Sequence, residues 1–157
     1  MIAKSAEALI NEQKSHFLIP AERVANVFEN NHLDHAFLVL TKIGYSKIPV
    51  LDKNQHFKGL ISLSMITESM LGLNGIDPSN LSKRQVAEVM QIDVPVVNKE
   101  NDIEDILHLL IDQPFLVVVN SDNVFIGIIT RRELMKSINY MVHELEKQYD
   151  VILKKSK

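Results

Sequence analysis

The chain has 157 residues, of which 46% are hydrophobic and 24% are charged, a balance typical of compact globular domains. Its net charge of −3 argues against a nucleic-acid surface, because such surfaces gather many Lys and Arg side chains on one face. The absence of cysteine excludes disulfides, zinc–thiolate sites and thiol catalysis. No apolar run reaches the roughly 20 residues of a membrane span, and the first seven residues lack the apolar stretch of a secretory signal. We therefore expect a cytoplasmic protein that binds neither DNA, RNA nor membranes.

The chain divides into five segments by its apolar periodicity and turn-forming residues. Residues 1–13 are predicted to form a leading helix, and residues 14–72 form a first structural unit. Residues 73–82 are rich in Gly, Asn, Asp and Pro and are predicted to be a linker. Residues 83–142 form a second unit. Residues 143–157 are predicted to be a helical tail, which packs along its own unit or, in a sharper alternative, against another subunit.

A strand-turn-strand segment occurs twice in the chain. Residues 47–62 align with residues 115–130 at an offset of 68 residues, so that Gly59 corresponds to Gly127. The match needs no gap. Two copies of one unit normally fold about a pseudo-twofold axis, and clefts arise where the copies meet.

The apolar residues upstream of each segment extend the duplication. One set begins at Leu33 and the other at Ile103, and both recur at i, i+3, i+4, i+7 and i+8, the spacing of an amphipathic helix. Second helices are predicted over residues 64–71 and 131–142. Each copy therefore has the order β-α-β-β-α, and the fold class is α/β with two pseudo-twofold-related units and flanking helices.

No catalytic constellation is present in the sequence. The motifs G-x-S-x-G, G-x-x-x-x-G-K-[ST] and G-x-G-x-x-G are absent, and five glycines are too few for a Gly-rich phosphate loop. His32 and His35 share a helical face but lack a third ligand, so no metal site is predicted. We expect a protein that is not an enzyme.

The start of the last predicted helix carries the strongest binding signal. Thr130 ends a strand and can cap a helix whose first turn holds Arg131, Arg132 and Glu133. Backbone N–H donors, guanidinium groups and a carboxylate thus converge at one helix N-terminus, an arrangement that suits a nucleotide. The pattern Thr-x-x-Glu is also a capping box, which satisfies backbone N–H groups without any ligand. The two arginines favour the nucleotide, because cations oppose the dipole at a helix N-terminus.

The equivalent place in the first copy lacks these charges. Ser62 retains the hydroxyl, but Leu63, Ser64 and Met65 replace the two arginines and the glutamate. The sequence therefore predicts one dominant nucleotide site per chain.

The duplicated unit resembles a tandem pair of cystathionine-β-synthase (CBS) domains, a Bateman module. The resemblance is carried by residues 45–52 and by the repeated ending Gly, two apolar residues and Ser or Thr, with an acid three residues later in the second copy. Residues 19–25, 35–45 and 130–132 resemble more closely the stand-alone bacterial CBS pairs that bind cyclic di-AMP (c-di-AMP). The resemblance implies disc-like homodimers with adenine nucleotides bound in clefts between the copies.

The resemblance also implies a set of nucleotide-binding residues. The adenine side is expected to consist of a strand and a loop: Arg23, Val24, Ala25, Tyr45 and Ser46. Ribose and phosphate contacts are expected from the helix start: Thr130, Arg131, Arg132 and Glu133. Glu133 stands where CBS domains more often have Asp. Four of these residues have an alternative role without a ligand: Val24 and Ala25 suit a strand core, Tyr45 a packing aromatic and Ser46 a turn hydroxyl.

These observations predict a regulatory sensor of an adenine nucleotide, most closely of c-di-AMP. The resemblance implies that the nucleotide-free form binds a cytosolic metabolic or stringent-response enzyme and that the ligand releases it. Two alternatives stay open: a sensor of AMP, ADP or ATP, and a dimeric scaffold that binds no nucleotide.

Overall fold

The structure, a computed structural model, describes residues 1–98 and 100–154. Within these ranges the chain forms five α-helices: α1 Lys4–Glu12, α2 Leu33–Ile43, α3 Leu63–Ser69, α4 Ile103–Asp112 and α5 Arg131–Gln148. The strands of the same ranges are β1 Leu18–Pro20, β2 Val27–Phe28, β3 Lys47–Leu51, β4 Phe57–Ser62, β5 Leu71–Gly72, β6 Gly75–Ile76, β7 Val96–Val97, β8 Phe115–Val119 and β9 Phe125–Thr130. None of the described helices is both long and apolar enough to span a bilayer.

Two sheets repeat one topology. Strand β2 is parallel to β3, as β7 is to β8, while β3–β4 and β8–β9 are antiparallel hairpins. Each hairpin has a register shift at the same place, after Val50 in the first copy and after Val118 in the second. Helices α2 and α4 precede the hairpins and α3 and α5 follow them. The α/β class, the duplication and the β-α-β-β-α order are confirmed.

The amphipathic pattern of the sequence places the cores correctly. The buried residues of the two central helices occupy the i, i+3 and i+7 positions of the predicted pattern: Leu33, Ala36 and Leu40 in α2, and Ile103, Ile106 and Leu110 in α4. The i+8 positions, Thr41 and Ile111, are exposed. Each helix covers the inner face of its own hairpin, and a third buried cluster joins the two copies. Burial of these stripes accounts for most of the driving force, because isolated helices of about ten residues are marginal in water.

The two copies are joined by reciprocal strand contacts. β1, at the start of the first copy, pairs with β9 of the second, and Gln91, which precedes the second copy's β7, bridges to Leu60 in β4. A Cβ atom on Gly127 would lie 2.2 Å from the carbonyl oxygen of Ile19, and one on Gly59 would lie 2.5 Å from that of Gln91. Glycine recurs at the two positions because each lets the other copy's backbone approach.

A second pair of contacts joins the tips of the two hairpins. The N–H of Phe57 donates to the carbonyl of Asn123 at 3.0 Å, and the N–H of Phe125 donates to that of Gln55 at 2.9 Å. Gln55 and Asn123 both adopt positive φ, 67° and 60°, at equivalent positions of their turns. These turns and the strand exchange hold the two copies in one relative orientation at both ends of the hairpins.

The flanking segments differ from their predicted form. The predicted linker contains β6, which pairs with β5 just before it, and a 3₁₀ helix over Pro78–Ser82. Asp77 caps that helix by accepting from the N–H of Ser79 at 2.9 Å. The tail is not a separate helix: α5 continues through residue 142 to Gln148, and residues 149–154 are not helical. Residues 155–157 lie outside the described part. The hydroxyl of Tyr140 donates to Glu12 at 3.0 Å and ties α5 to α1. Whether the tail packs along its own unit or against another subunit stays a prediction.

Candidate functional site

A cavity of about 520 Å³ lies between the two copies. Its walls come from the segment after β1, the loop before β3, the start of β8 and the junction of β9 with α5. The walls come from both copies because the pairing of β1 with β9 brings residues 19–25 beside the start of α5. The volume lies within the range of ordinary small-molecule sites.

Eight of the nine predicted site residues line this one cavity: Arg23, Val24, Ala25, Tyr45, Ser46, Thr130, Arg132 and Glu133. They come from positions as far apart in sequence as 23 and 133. Tyr45 lies at the rim with 57% of its surface exposed. The structure therefore brings the expected adenine side and the expected phosphate side together across a shared space.

The segment around Arg23 is not the strand that the sequence suggested. Ala21–Arg23 form a 3₁₀ helix, and Val24 and Ala25 follow it outside any strand. Pro20 sets this geometry because it ends β1 in an extended conformation and leaves no N–H to continue the ladder. The turn carries Ala25 to the cavity wall, while the next regular strand starts only at Val27.

The start of α5 is capped, but only by half of a capping box. The hydroxyl of Thr130 accepts from the N–H of Glu133 at 3.3 Å. The carboxylate of Glu133 is paired with the ammonium of Lys136, at 2.7 Å, and both side chains line the cavity. The reciprocal contact that completes a capping box is therefore replaced by an ion pair within the site.

The two adjacent arginines have different surroundings. Arg132 lines the cavity, whereas Arg131 Nε and one terminal nitrogen donate to the carbonyls of Leu110 and Ile111 at 2.7 Å each. Arg131 thus occupies the C-terminus of α4, where a cation is favoured by the helix dipole and by unpaired carbonyls. This differs from the expected phosphate contact of Arg131. Successive helix residues point about 100° apart, and in this structure the Arg131 side chain is directed to the end of α4 while that of Arg132 borders the cavity.

The electrostatics of the cavity contrast with those of the whole chain. Its charged lining residues are four cations and one carboxylate: Arg23, Lys47, Arg132, Lys136 and Glu133. The chain as a whole carries a net charge of −3. A cluster of cations in a recess attracts an anion, because the low-dielectric walls weaken screening by solvent.

The remaining walls are mostly apolar. They comprise Ile19, Val24, Ala25, Ile48, Pro49, Pro114, Phe115 and Ile128. Such walls accept the face of a ring, while the charged residues lie on α5, on the 3₁₀ turn and at the start of β3. The cavity is thus suited to an anion that also carries an apolar, planar part.

Two cationic residues of the cavity were not predicted from the sequence. Lys136 was detectable, because it lies four residues after Arg132 and three after Glu133 and therefore on the same helix face. Lys47 was not, because nothing in the chain marks the first residue of β3 as facing a cleft. Its ammonium also donates to the side-chain oxygen of Gln91 at 3.1 Å.

The N-terminus of α3 is capped like that of α5 but lacks the charged residues found there. Ser62 caps α3 by accepting from the N–H of Met65 at 3.2 Å, and its oxygen lies 2.9 Å from the hydroxyl of Ser64. At the offset of 68 residues, Ser64 replaces Arg132, and Glu68 replaces Lys136. An anion would meet a carboxylate there in place of a cation.

Comparison with known proteins gives the class of this protein. The CBS domain family matches residues 18–72 and 86–140, so the chain belongs to that family as a tandem pair. It is 39% identical over 147 residues to cyclic di-AMP receptor B of Bacillus subtilis, which covers 94% of this chain and 100% of that protein. The resemblance derived from the sequence is confirmed.

Two solved structures of relatives have the same fold. The crystal structure of CbpB from Streptococcus agalactiae superposes with a TM-score of 0.88 at 31% identity, covering 98% of this chain and 96% of that one. The structure of Listeria monocytogenes CbpB in complex with c-di-AMP superposes with a TM-score of 0.78 at 49% identity, covering 83% and 98%. The chain is thus close to a group of c-di-AMP-binding proteins.

Proposed function

We propose that this protein is a receptor for c-di-AMP that acts by binding and carries out no chemistry. The observation that carries the proposal is the cavity between the copies, in which four cations and one carboxylate face apolar walls. A cyclic dinucleotide combines the matching features, namely two anionic phosphates and two flat bases. The names of the relatives in Bacillus subtilis and Listeria monocytogenes support the same ligand.

The proposed roles follow the positions of the side chains. Val24, Ala25 and Tyr45 hold an adenine against the apolar wall, and Arg23 and Ser46 contact its edge or the neighbouring sugar. Thr130 and Glu133 accept or exchange hydrogen bonds with ribose hydroxyls. Arg132 contacts a phosphate through a charge-assisted bond. Arg131 is a positioning residue in this scheme, because its guanidinium holds the start of α5 to the end of α4.

We further propose that the protein is cytoplasmic, forms a homodimer and regulates a metabolic or stringent-response enzyme. The nucleotide-free form binds the enzyme, and c-di-AMP displaces it. Thermodynamic linkage then requires that the enzyme weaken nucleotide binding by the same factor. A nucleotide that contacts residues 23–46 of the first copy and residues 130–132 of the second is expected to stabilise one relative orientation of the copies, to which the hairpin turns and the pairing of β1 with β9 also contribute.

A calorimetric titration of the purified chain against c-di-AMP, AMP and ATP tests the ligand. The proposal expects c-di-AMP to bind most tightly. Preference for AMP or ATP would favour a sensor of energy charge, and no heat with any nucleotide would favour a scaffold. A pull-down from cytosolic extract with and without saturating c-di-AMP tests the partner. Capture that ignores the nucleotide would contradict the release mechanism.

A further inference from the structure

Lys136 lies in the cavity one helical turn beyond Arg132. Its ammonium is 2.7 Å from a carboxylate oxygen of Glu133, and all three side chains line the same space. Residues four apart on an α-helix are displaced by about 6 Å along its axis and share a face. The face of α5 that borders the cavity therefore carries two cations in succession, with a single carboxylate beside them.

The same helix contains a matched pair outside the cavity. Lys147 lies 2.6 Å from Glu144 with the same i, i+3 spacing, and the carboxylate side chain is 23% exposed in both pairs. Neither residue of this second pair lines the cavity. The pairing of Glu133 with Lys136 is thus an ordinary surface interaction, and only its position distinguishes it.

An exposed pair of this kind is easily exchanged for other partners. Such pairs contribute about 0 to 1 kcal/mol, and the lysine side chain is 60% exposed on a flexible stem. An arriving phosphate that pairs with Lys136 releases the carboxylate of Glu133, which can then accept from a ribose hydroxyl. Both groups keep a partner during the exchange, so neither is left desolvated and unpaired.

We propose that Lys136 is a phosphate-binding residue that selects ligands with two phosphates. Arg132 takes one phosphate of the ligand and Lys136 takes the other, whereas a mononucleotide occupies Arg132 alone. This inference rests on the proposed receptor function. It adds to that function a residue that determines specificity. The equivalent position of the first copy holds Glu68, whose charge is opposite to that of Lys136.

The test is a set of affinity measurements on the full chain with c-di-AMP and with AMP. The proteins compared are the unmodified chain, Lys136→Met, Lys136→Arg and the matched control Lys147→Met. Lys136→Met is expected to lower affinity for c-di-AMP about tenfold and to change that for AMP less than about twofold. Lys136→Arg is expected to retain most of the affinity, and Lys147→Met is expected to behave as the unmodified chain.

Each contrary result has a separate meaning. Unchanged c-di-AMP affinity in Lys136→Met, together with a loss in Arg132→Ala, would overturn the role of Lys136 and leave the receptor proposal intact. Equal losses of c-di-AMP affinity in Lys136→Met and Lys147→Met would also overturn it, because the effect would then reflect only the net charge of the protein. Equal losses of affinity for c-di-AMP and AMP in Lys136→Met would overturn it as well, because Lys136 would then not distinguish the two ligands. An unmodified chain that fails to bind c-di-AMP would overturn both proposals. Matching thermal unfolding midpoints for the two Met variants show that folding is not the cause.

Discussion

The two helix starts of this protein share their geometry and differ in their chemistry. Ser62 caps α3 and Thr130 caps α5 in the same way, with oxygen–nitrogen distances of 3.2 and 3.3 Å. Beyond the cap, α5 presents Arg132 to a cavity where α3 has Ser64. The comparison teaches that the hydroxyl at the end of each hairpin is required by the fold. The charges that follow it differ between the copies, and we expect them to decide which helix start binds an anion.

The largest expected effect concerns the feature that the two halves share. Gly127→Ala places a Cβ atom 2.2 Å from a backbone oxygen at a φ of +154°, and we expect a loss of about 3 kcal/mol in the free energy of unfolding. Gly59→Ala places a Cβ atom 2.5 Å from the carbonyl oxygen of Gln91, but Gly59 does not have a positive φ, so we expect a smaller loss of about 2 kcal/mol in the free energy of unfolding. Urea unfolding measures both.

Gly75→Ala is the control for backbone strain alone. Gly75 has a φ of +116° but no atom within 4 Å of its added Cβ, so we expect a loss of about 1 kcal/mol. Equal losses in all three variants would contradict the view that close approach of the other copy's backbone selects the two hairpin glycines.

The next effect should separate the two clefts. Arg132→Ala removes a charge-assisted phosphate contact worth about 1.5 to 3 kcal/mol, so affinity for c-di-AMP should fall tenfold or more. Ser64→Ala, at the equivalent position of the first copy, should leave that affinity unchanged. A calorimetric comparison decides between them, and similar losses would mean that both clefts bind the ligand.

A smaller effect should separate the two neighbouring arginines. Arg131→Ala removes two hydrogen bonds from the carbonyls at the end of α4, so we expect the free energy of unfolding to fall by about 1 to 2 kcal/mol. Arg132→Ala should leave stability nearly unchanged because its side chain is exposed. Chemical unfolding of both variants measures this difference. A lower stability of Arg132→Ala than of Arg131→Ala would contradict the assignment.

The smallest expected effect tests the shared caps. Thr130→Val and Ser62→Ala each remove an N-cap acceptor and should each lower stability by about 1 kcal/mol. Only Thr130→Val should also weaken c-di-AMP binding, since Thr130 lines the cavity and Ser62 does not. Loss of binding in Ser62→Ala would show that the first copy's helix start contributes to recognition.

The sequence was sufficient wherever a signal was local or repeated. The helical spacing from Leu33 and from Ile103 identified buried faces, and the duplicated hairpin identified two equivalent units. The exchange of β1 was not predictable, because three residues have no usable periodicity and their partner lies more than 100 positions away. The single helix from Arg131 to Gln148 was missed because its polar second half resembles a separate tail.

The candidate site was predicted to a similar degree. The family motifs correctly predicted that residues from three distant segments lie together, because members of one family share the fold that brings these segments close. Motif reasoning assigned Arg131 and Arg132 alike, because a sequence does not show which of two adjacent side chains faces a neighbouring helix end. It also stopped at Glu133, although the helical spacing extends the cationic face to Lys136.

The most direct test of the account is the stoichiometry of c-di-AMP binding, measured by titration calorimetry on the unmodified chain, Arg132→Ala and Ser64→Ala. Because only the α5 cleft carries the cations, the account predicts one c-di-AMP per chain, a loss of at least tenfold in affinity in Arg132→Ala, and normal binding in Ser64→Ala. Two equal sites per chain, or unimpaired binding in Arg132→Ala, would contradict it.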